Sequence, residues 1–372
     1  MKFSTSCADL LAQLGVVSRV ASTRSAVQAL SGVQLSALSG GAELRATDME
    51  VGLRVPLKAD VEREGTVVLP ARLMLDVARS LPGTEATLEL RPAEQDVEVV
   101  SGAATFHIRT LRAEDFPPLP EPGGENVVEV PAAAFVATIN RVARSASRDE
   151  TRPILTGILV SATGDELRMV ATDSYRLSVK ETKLEAPLEG GFEANVPARA
   201  LQELARIAQG AGGTELDTLT VSVRSNQIVF EIGGDVLSSR LIDGQFPNYR
   251  QLLPDAFEHE LTLTAGELTE VVRRVSLMAQ KNAPLRLQFE EGELTVSAQT
   301  PDVGEAREML PVPFAGEPFE IGFNPEFLRD GLESADGGDL VLKLISPLRP
   351  GLIESADGSG FLYLIMPIRL NV

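Results

Sequence analysis

The chain has 372 residues, of which 44% are hydrophobic, and a formal net charge of −19. That length and apolar content fit two or three domains, no apolar run reaches the roughly 18 residues of a membrane-spanning helix, and the stretch from Met1 to Leu11 does not read as a secretion signal. A single cysteine, Cys7, excludes an internal disulfide framework and suits a reducing cytoplasm; two histidines, His107 and His259, leave little for imidazole catalysis or metal ligation; and the acidic balance, taken alone, argues against nucleic-acid binding.

Along the chain the same elements come round three times. A short strand with an amphipathic helix opens at Thr5 and runs to Arg19. The phrase Glu43-Leu-Arg-Ala-Thr47-Asp48 comes next, reading as a strand that ends in a polar turn. Val68–Leu81 is a turn and helix carrying Arg72, Asp76 and Arg79, and the strand Ile108-Arg-Thr-Leu111 leads to Phe116-Pro117. The second round has a helix from Val130 to Arg148, with Val136, Ile139 and Ala143 spaced as an apolar stripe. Then come Glu166–Asp173, the helix Asn195–Arg206 with Arg199, Glu203 and Arg206, and Ser239-Arg-Leu241 leading to Phe246-Pro247. The third round has Leu263–Lys281, a fainter strand at Glu293, the helix Gly322–Glu333 with Glu326, Asp330 and Glu333, and Leu362–Pro367. Arg72, Arg199 and Glu326 recur at a constant interval, each with charges at i+4 and i+7 on one helix face, and Pro70, Pro197 and Pro325 suit the helix starts. Each round holds two helices among alternating strands, which predicts α+β domains with helices on one face of antiparallel sheets. Turn-rich boundaries near Pro120–Gly124 and Pro254-Asp255 give domains 1–124, 125–255 and 256–372.

Charged helix faces can simply be solvated. In so acidic a chain, however, the helices and adjoining loops collect basic residues: Arg19, Arg24, Arg72, Arg79, Arg141, Arg144, Arg148, Arg152, Arg199, Arg206, Arg273, Arg274 and Lys281. Arg141, Arg144 and Arg148 have the spacing of one stripe. Basic helices on an acidic body predict one surface that meets phosphates. Phosphate-binding loop, dinucleotide turn, nucleophile elbow and Cys/His metal spacing are all missing from the sequence. Asp48, Asp173 and Asp302 read as turn caps rather than Mg²⁺ ligands, because Thr-Asp pairs at strand ends serve turns. No cofactor or metal is expected.

Three phrases carry a family resemblance. Ala171–Ser178 is similar to Ala-Thr-Asp-Gly-His-Arg-Leu-Ala, Phe246–Arg250 to Phe-Pro-Asp-Tyr-Arg, and Met366–Leu370 to Met-Pro-Met-Arg-Leu; Met1-Lys2-Phe3 also matches. In this order and over the whole chain they resemble the bacterial sliding clamp family, the beta subunit of DNA polymerase III. The resemblance implies three clamp domains per chain in a head-to-tail homodimeric ring, with helices lining a hole that holds duplex DNA without sequence preference. A weakly basic lumen inside an acidic exterior then accounts for the charge pattern. It implies a non-enzymatic processivity factor in the cytoplasm, with no membrane partner. Its partners would be the polymerase III alpha subunit, the clamp loader, other polymerases and repair factors, held by short motifs in an apolar pocket.

By the same resemblance that pocket takes Leu155, Thr172, Ser174, Tyr175, Arg176 and Leu177 at one subsite. Pro247, Gln251, Leu252, Asn324, Phe327, Leu348, Met366, Pro367, Ile368 and Arg369 take the rest. The expected DNA-facing residues are Arg24, Arg72, Arg79, Arg141, Arg144, Arg148, Arg152, Arg199, Arg206, Arg273 and Lys281. Phe106 and Ile108 are expected to meet Ser276 and Leu277, with Met278 nearby, at the dimer joint, where Phe106-His107-Ile108 reads as an edge strand. The chain departs from the family pattern at Ser174-Tyr175 (usually Gly-His), at Gln251 (an Arg in relatives), at Asn282 (an aromatic), and in running on to Asn371-Val372. Two other classes compete with this reading: an enzyme acting on DNA or nucleotides, and a monomeric three-domain peptide adaptor.

Overall fold

Alternating apolar residues pair into strands wherever a turn lets the chain reverse, and here nearly every reversal is short. The computed structural model describes residues 1–22, 25–124, 126–210, 217–279, 283–335 and 338–370. Arg24, Lys281, Asn282 and Asn371-Val372 lie outside the described residues. The first repeat runs β1 (Lys2–Ser6), α1 (Cys7–Val17), β2 (Gly32–Leu38), β3 (Gly41–Thr47), β4 (Val51–Leu57), β5 (Asp60–Arg63), β6 (Gly65–Pro70), α2 (Ala71–Ser80), β7 (Glu85–Arg91), β8 (Asp96–Ser101) and β9 (Ala104–Arg109). The second runs β10 (Asn126–Pro131), α3 (Ala132–Val142), β11 (Gly157–Thr163), β12 (Glu166–Thr172), β13 (Arg176–Lys183), β14 (Gly191–Pro197), α4 (Ala198–Gly210), β15 (Thr218–Val223), β16 (Gln227–Ile232) and β17 (Asp235–Arg240). The third runs β18 (His259–Thr264), α5 (Ala265–Val275), β19 (Leu285–Glu290), β20 (Glu293–Thr300), β21 (Gly304–Pro311), β22 (Phe319–Phe323), α6 (Pro325–Ser334), β23 (Asp339–Leu344), β24 (Gly351–Ser355) and β25 (Phe361–Ile365).

Contacts divide the chain into two compact units, Met1–Ala132 with Glu203–Leu241, and Ala133–Gln202 with Ile242–Val372. This division does not match the three repeats, because sheets join strands of neighbouring repeats. The first unit holds a five-stranded sheet, β5-β1-β7-β8-β9, and an eight-stranded sheet, β10-β15-β16-β17-β4-β3-β2-β6. Here β17 of the second repeat pairs antiparallel with β4 of the first, Leu237 opposite Leu53. The second unit holds an eight-stranded sheet, β14-β11-β12-β13-β25-β24-β23-β18, and a four-stranded one, β21-β20-β19-β22. Here β13 pairs with β25 of the third repeat, Leu177 opposite Leu364.

The helices pack where their apolar stripes dictate. Ser6 caps α1 by accepting from the Asp9 N–H, and Leu10, Leu14 and Val17 are buried. Each such side chain contributes about 1.5–3 kcal/mol. On α3 the buried line is Phe135, Ile139 and Val142, spaced i, i+4, i+7, while the predicted Val136 is only half-buried. In the second unit α5 buries Leu268, Val271, Val272 and Val275 against Leu287, Phe289, Val296 and Ile321 of the four-stranded sheet, and α6 adds Leu328 and Leu332. Pro70 caps α2, Pro197 ends β14 directly before α4, and Pro325 is the first residue of α6, as the sequence predicts.

Candidate functional site

The turn between β12 and β13 repeats, bond for bond, the turn between β3 and β4. In the second repeat the Thr172 hydroxyl donates to the Arg176 carbonyl (2.7 Å) and accepts from the Ser174 N–H (3.2 Å). Asp173 Oδ1 accepts from the Tyr175 and Arg176 N–H groups at 2.9 and 3.0 Å. In the first repeat Thr47 and Asp48 make the same four bonds to Val51, Met49 and Glu50. The middle residue of each turn, Ser174 or Met49, is left-handed with φ 79°. Asp48 and Asp173 thus spend an oxygen on backbone donors, as turn caps do. The third repeat closes differently, by Val303 N–H to the Thr300 carbonyl at 3.0 Å, so Asp302 does not repeat the device.

The two turns differ in the residue that opens the next strand. Position 51 is valine, whereas position 176 is arginine, and Arg176 is buried. Its Nη1 donates to Asp330 Oδ2 (2.6 Å), Nε to Asp173 Oδ2 (3.1 Å) and Nη2 to the Arg144 carbonyl (2.5 Å). Its guanidinium carbon lies 4.3 Å from the centre of the Phe327 ring, within cation–π range. Burial works against this charge, but Tyr363, Asp330 and Asp173 hold the guanidinium pKa above its ordinary value. Phe327 is itself fixed from two directions. Asn324 caps α6 by accepting from the Glu326 and Phe327 N–H groups at 2.9 and 3.1 Å, and the buried Tyr363 hydroxyl donates to the Phe327 carbonyl at 2.7 Å. Gly331, inside α6, admits the Tyr363 ring, which a Cβ would meet at 2.5 Å. Tyr175 stacks over Phe327 with centroids 6.4 Å apart, and the Met366 N–H donates to the Tyr175 carbonyl at 2.9 Å.

Through these bonds and rings, Tyr175, Arg176, Phe327 and Met366 of the predicted pocket come together within the second unit, with Thr172, Ser174 and Asn324 supporting them. Leu177 is buried in a cluster with Val170, Phe246, Tyr249, Leu352 and Leu364, against which Leu253 packs. Leu155 is buried in the helical turn Pro153–Thr156, and the Ile368 N–H reaches the Gly322 carbonyl at 2.7 Å beside Asn324. Tyr175, Leu252, Leu348 and Met366, all in this unit, keep 61, 51, 62 and 42% of their surface exposed. Pro247 and Arg369 are exposed in loops of the same unit, Gln251 is exposed in the 3₁₀ turn Tyr249–Leu252, and Pro367 is half-buried. Sequence reasoning missed a neighbouring cavity of about 290 Å³ between the sheet face at Leu159, Ser161, Arg168, Val170 and Glu193 and the segment Gln245–Arg250; Pro247 is the one predicted residue lining it. The signal was present in the alternation, since Leu159/Ser161 and Arg168/Val170 are i, i+2 pairs that share a face.

The predicted cationic surface needs correction. Arg141, Arg144 and Arg148 do not form one stripe, because α3 ends at Val142 and tightens into a 3₁₀ turn, Ala143–Ser145, that changes the angular spacing. Arg141 donates to the Ser334 carbonyl at 2.8 Å, Arg144 is held by Glu333 and Asp330, and Arg148 lies exposed beyond the turn. Arg79 pairs with Asp76 (3.1 Å), Arg206 with Glu203 (3.1 Å), Arg273 with Glu270 (2.7 Å) and Arg152 with Asp149 (2.9 Å). Asp149 is pulled below the usual carboxylate range, first by Thr151 and then by Arg152. Arg72 and Arg199 are exposed on α2 and α4.

At the predicted joint, β9 is an edge strand carrying a half-buried Phe106, but Ile108 is already buried within its own unit. The Ser276 hydroxyl is turned back to the Val272 carbonyl at 2.5 Å, so it is spent on the end of α5. Leu277, in contrast, is 76% exposed, the barest large apolar side chain among the described residues.

Models of the DNA polymerase III beta subunit match throughout: the N-terminal domain at residues 1–120, the central domain at 129–248 and the C-terminal domain at 250–369. The beta sliding clamp of Streptomyces coelicolor is 33% identical over 377 residues, covering 98% of each chain. The Caulobacter crescentus beta sliding clamp structure superposes with a TM-score of 0.91 at 30% identity, covering 100% of this chain and 99% of that one. The Bartonella birtlesii sliding clamp, solved bound to griselimycin, gives 0.90 at 29% identity with full coverage of both chains. The chain belongs to the DNA polymerase III beta subunit family, the bacterial beta sliding clamps.

Proposed function

We propose that two copies of this chain close head to tail into a ring around duplex DNA. The ring would hold the polymerase III alpha subunit, the clamp loader, and other polymerases and repair factors through the apolar face at Tyr175, Leu177, Leu252, Phe327, Leu348 and Met366. As a member of its family the chain is a non-enzymatic processivity factor of DNA replication that tethers a polymerase through a binding pocket. It has no helix, among the described residues, long and apolar enough to cross a membrane. The cytoplasm is its proposed compartment, and 1–124, 125–255 and 256–372 are its proposed domains.

One observation supports ring closure most directly. Where neighbouring repeats meet within the chain, the last strand of one sheet half pairs with the third strand of another: β17 with β4, and β25 with β13. By position in the repeat, the two strands left over are β9 and β21, and each is the edge of its sheet. Exposed edges invite pairing with another chain. A β9–β21 pairing between copies gives every repeat the same sheet and closes a head-to-tail series. The helix ends agree. Arg19, after α1, pairs with Glu203 of α4, and Arg144, after α3, with Asp330 of α6. After α5 the corresponding residue is Leu277, and α2 offers Leu73, itself 49% exposed, beside Asp76. An apolar contact thus replaces an ion pair at the joint between copies. Light scattering during gel filtration tests this: the native chain should run as a dimer and Leu277→Glu as a monomer at micromolar concentration. A native monomer would leave the adaptor reading standing in its place.

A further inference from the structure

We infer that Asp330 is a positioning residue of the peptide pocket, which sets partner affinity by holding Arg176 beneath Phe327 without itself touching the peptide. The inference rests on the pocket reading above. Its basis is a comparison of three equivalent positions, Asp76, Glu203 and Asp330, each four residues along from a matching helix residue. Asp76 is exposed and pairs, among the described residues, with Arg79 of its own helix at 3.1 Å. Glu203 is buried and takes Arg19 at 2.5 Å and Arg206 at 3.1 Å. Asp330 is also buried, but the place of Arg79 and Arg206 is taken by Glu333, an acid. Its local partner has been lost, and the carboxylate turns instead to the pocket turn: Arg176 Nη1 sits 2.6 Å from Oδ2, and Arg144 Nη1 a looser 3.4 Å from Oδ1.

The geometry makes this contact directional. Arg176 leads β13, its carbonyl closes the Thr172–Arg176 turn, and its guanidinium lies under the Phe327 ring on which Tyr175 stacks. The carboxylate of Asp330 fixes the plane of that guanidinium, and through it the spacing between the exposed Tyr175 and Phe327. A neutral amide at 330 keeps the volume and loses the charge-assisted bond, leaving Nη1 of a buried arginine without its carboxylate and the guanidinium held by Asp173 and the Arg144 carbonyl alone.

The test uses the whole 372-residue chain and a fluorescein-labelled peptide ending in two large apolar residues, monitored by fluorescence anisotropy. Asp330→Asn should bind it about tenfold more weakly, Phe327→Leu comparably, and the double variant little worse than either single one, since both act through the same stack. Asp330→Glu should recover part of the loss. Unchanged affinity in Asp330→Asn, or losses that multiply in the double variant, overturn the inference. If Asp330→Asn does not fold, Arg144→Gln removes the other partner of the same carboxylate and should leave affinity within about twofold; a tenfold loss there means the carboxylate acts as general helix packing, and the inference fails. A native chain that does not bind the peptide at all counts against the pocket reading instead.

Discussion

Ser174 occupies a backbone conformation that costs a residue with a side chain about 1–2 kcal/mol and glycine little. Its φ of 79° is offset locally by the Thr172 and Asp173 bonds and by Arg152 Nη1, which donates to the Ser174 hydroxyl at 3.0 Å. That last bond is exposed and contributes little. Ser174→Gly should therefore raise unfolding stability by about 0.5–1 kcal/mol in urea titrations, while a loss of stability would show that the Arg152 bond dominates. Asp235, the first residue of β17 and opposite Ile232 of β16, is pushed up to about 6 by burial. Its folded form keeps a proton that the unfolded chain has released, so stability falls as pH rises from about 4 to about 6 and is flat above. Asp235→Asn should remove that slope and stabilise the protein at pH 7.5 by about 1–2 kcal/mol, the full pKa difference being reduced by the solvent access the carboxylate retains. Parallel stability–pH curves for the two proteins would contradict this.

Among the elements, helix starts were the most legible in sequence. Proline beside an N-cap has a local cause, and α2, α4 and α6 begin where Pro70, Pro197 and Pro325 announce them. The Asn324 cap is of the same kind, and Asn324→Ala should cost about 1 kcal/mol and weaken peptide binding through Phe327; thermal melts beside peptide titrations would measure both, and an intact affinity would free Phe327 from the cap. What sequence could not show depends on long-range partners. Asp76, Glu203 and Asp330 share one helical spacing, yet two are buried and one is not, because Arg19, Arg144 and Arg176 arrive from distant parts of the chain. The arginine stripe on α3 failed for a different reason: periodicity assumes that the helix continues, and a 3₁₀ turn ends it at Val142. The residues of the proposed pocket came from resemblance, whereas the Arg176–Asp330 bond spans 154 positions and leaves no pattern in sequence.

At the scale of the molecule, the net charge of −19 and the paired state of many helix arginines point the same way. In the proposed ring these arginines would meet phosphates while already shared with carboxylates, so retention on DNA is expected to come from enclosure rather than from contact. Sheets join repeats at β17–β4 and β25–β13 and leave β9 and β21 as edges, whose pairing between copies is the proposed means of enclosure. The central claim is topological, and one measurement addresses it: the lifetime of the loaded protein on nicked circular DNA compared with its lifetime after a single restriction cut. The account predicts long retention on the circle, only weakly dependent on salt, and release at least about tenfold faster once an end is available. Equal release rates from circle and linear duplex would show that the protein holds DNA by contact and does not encircle it.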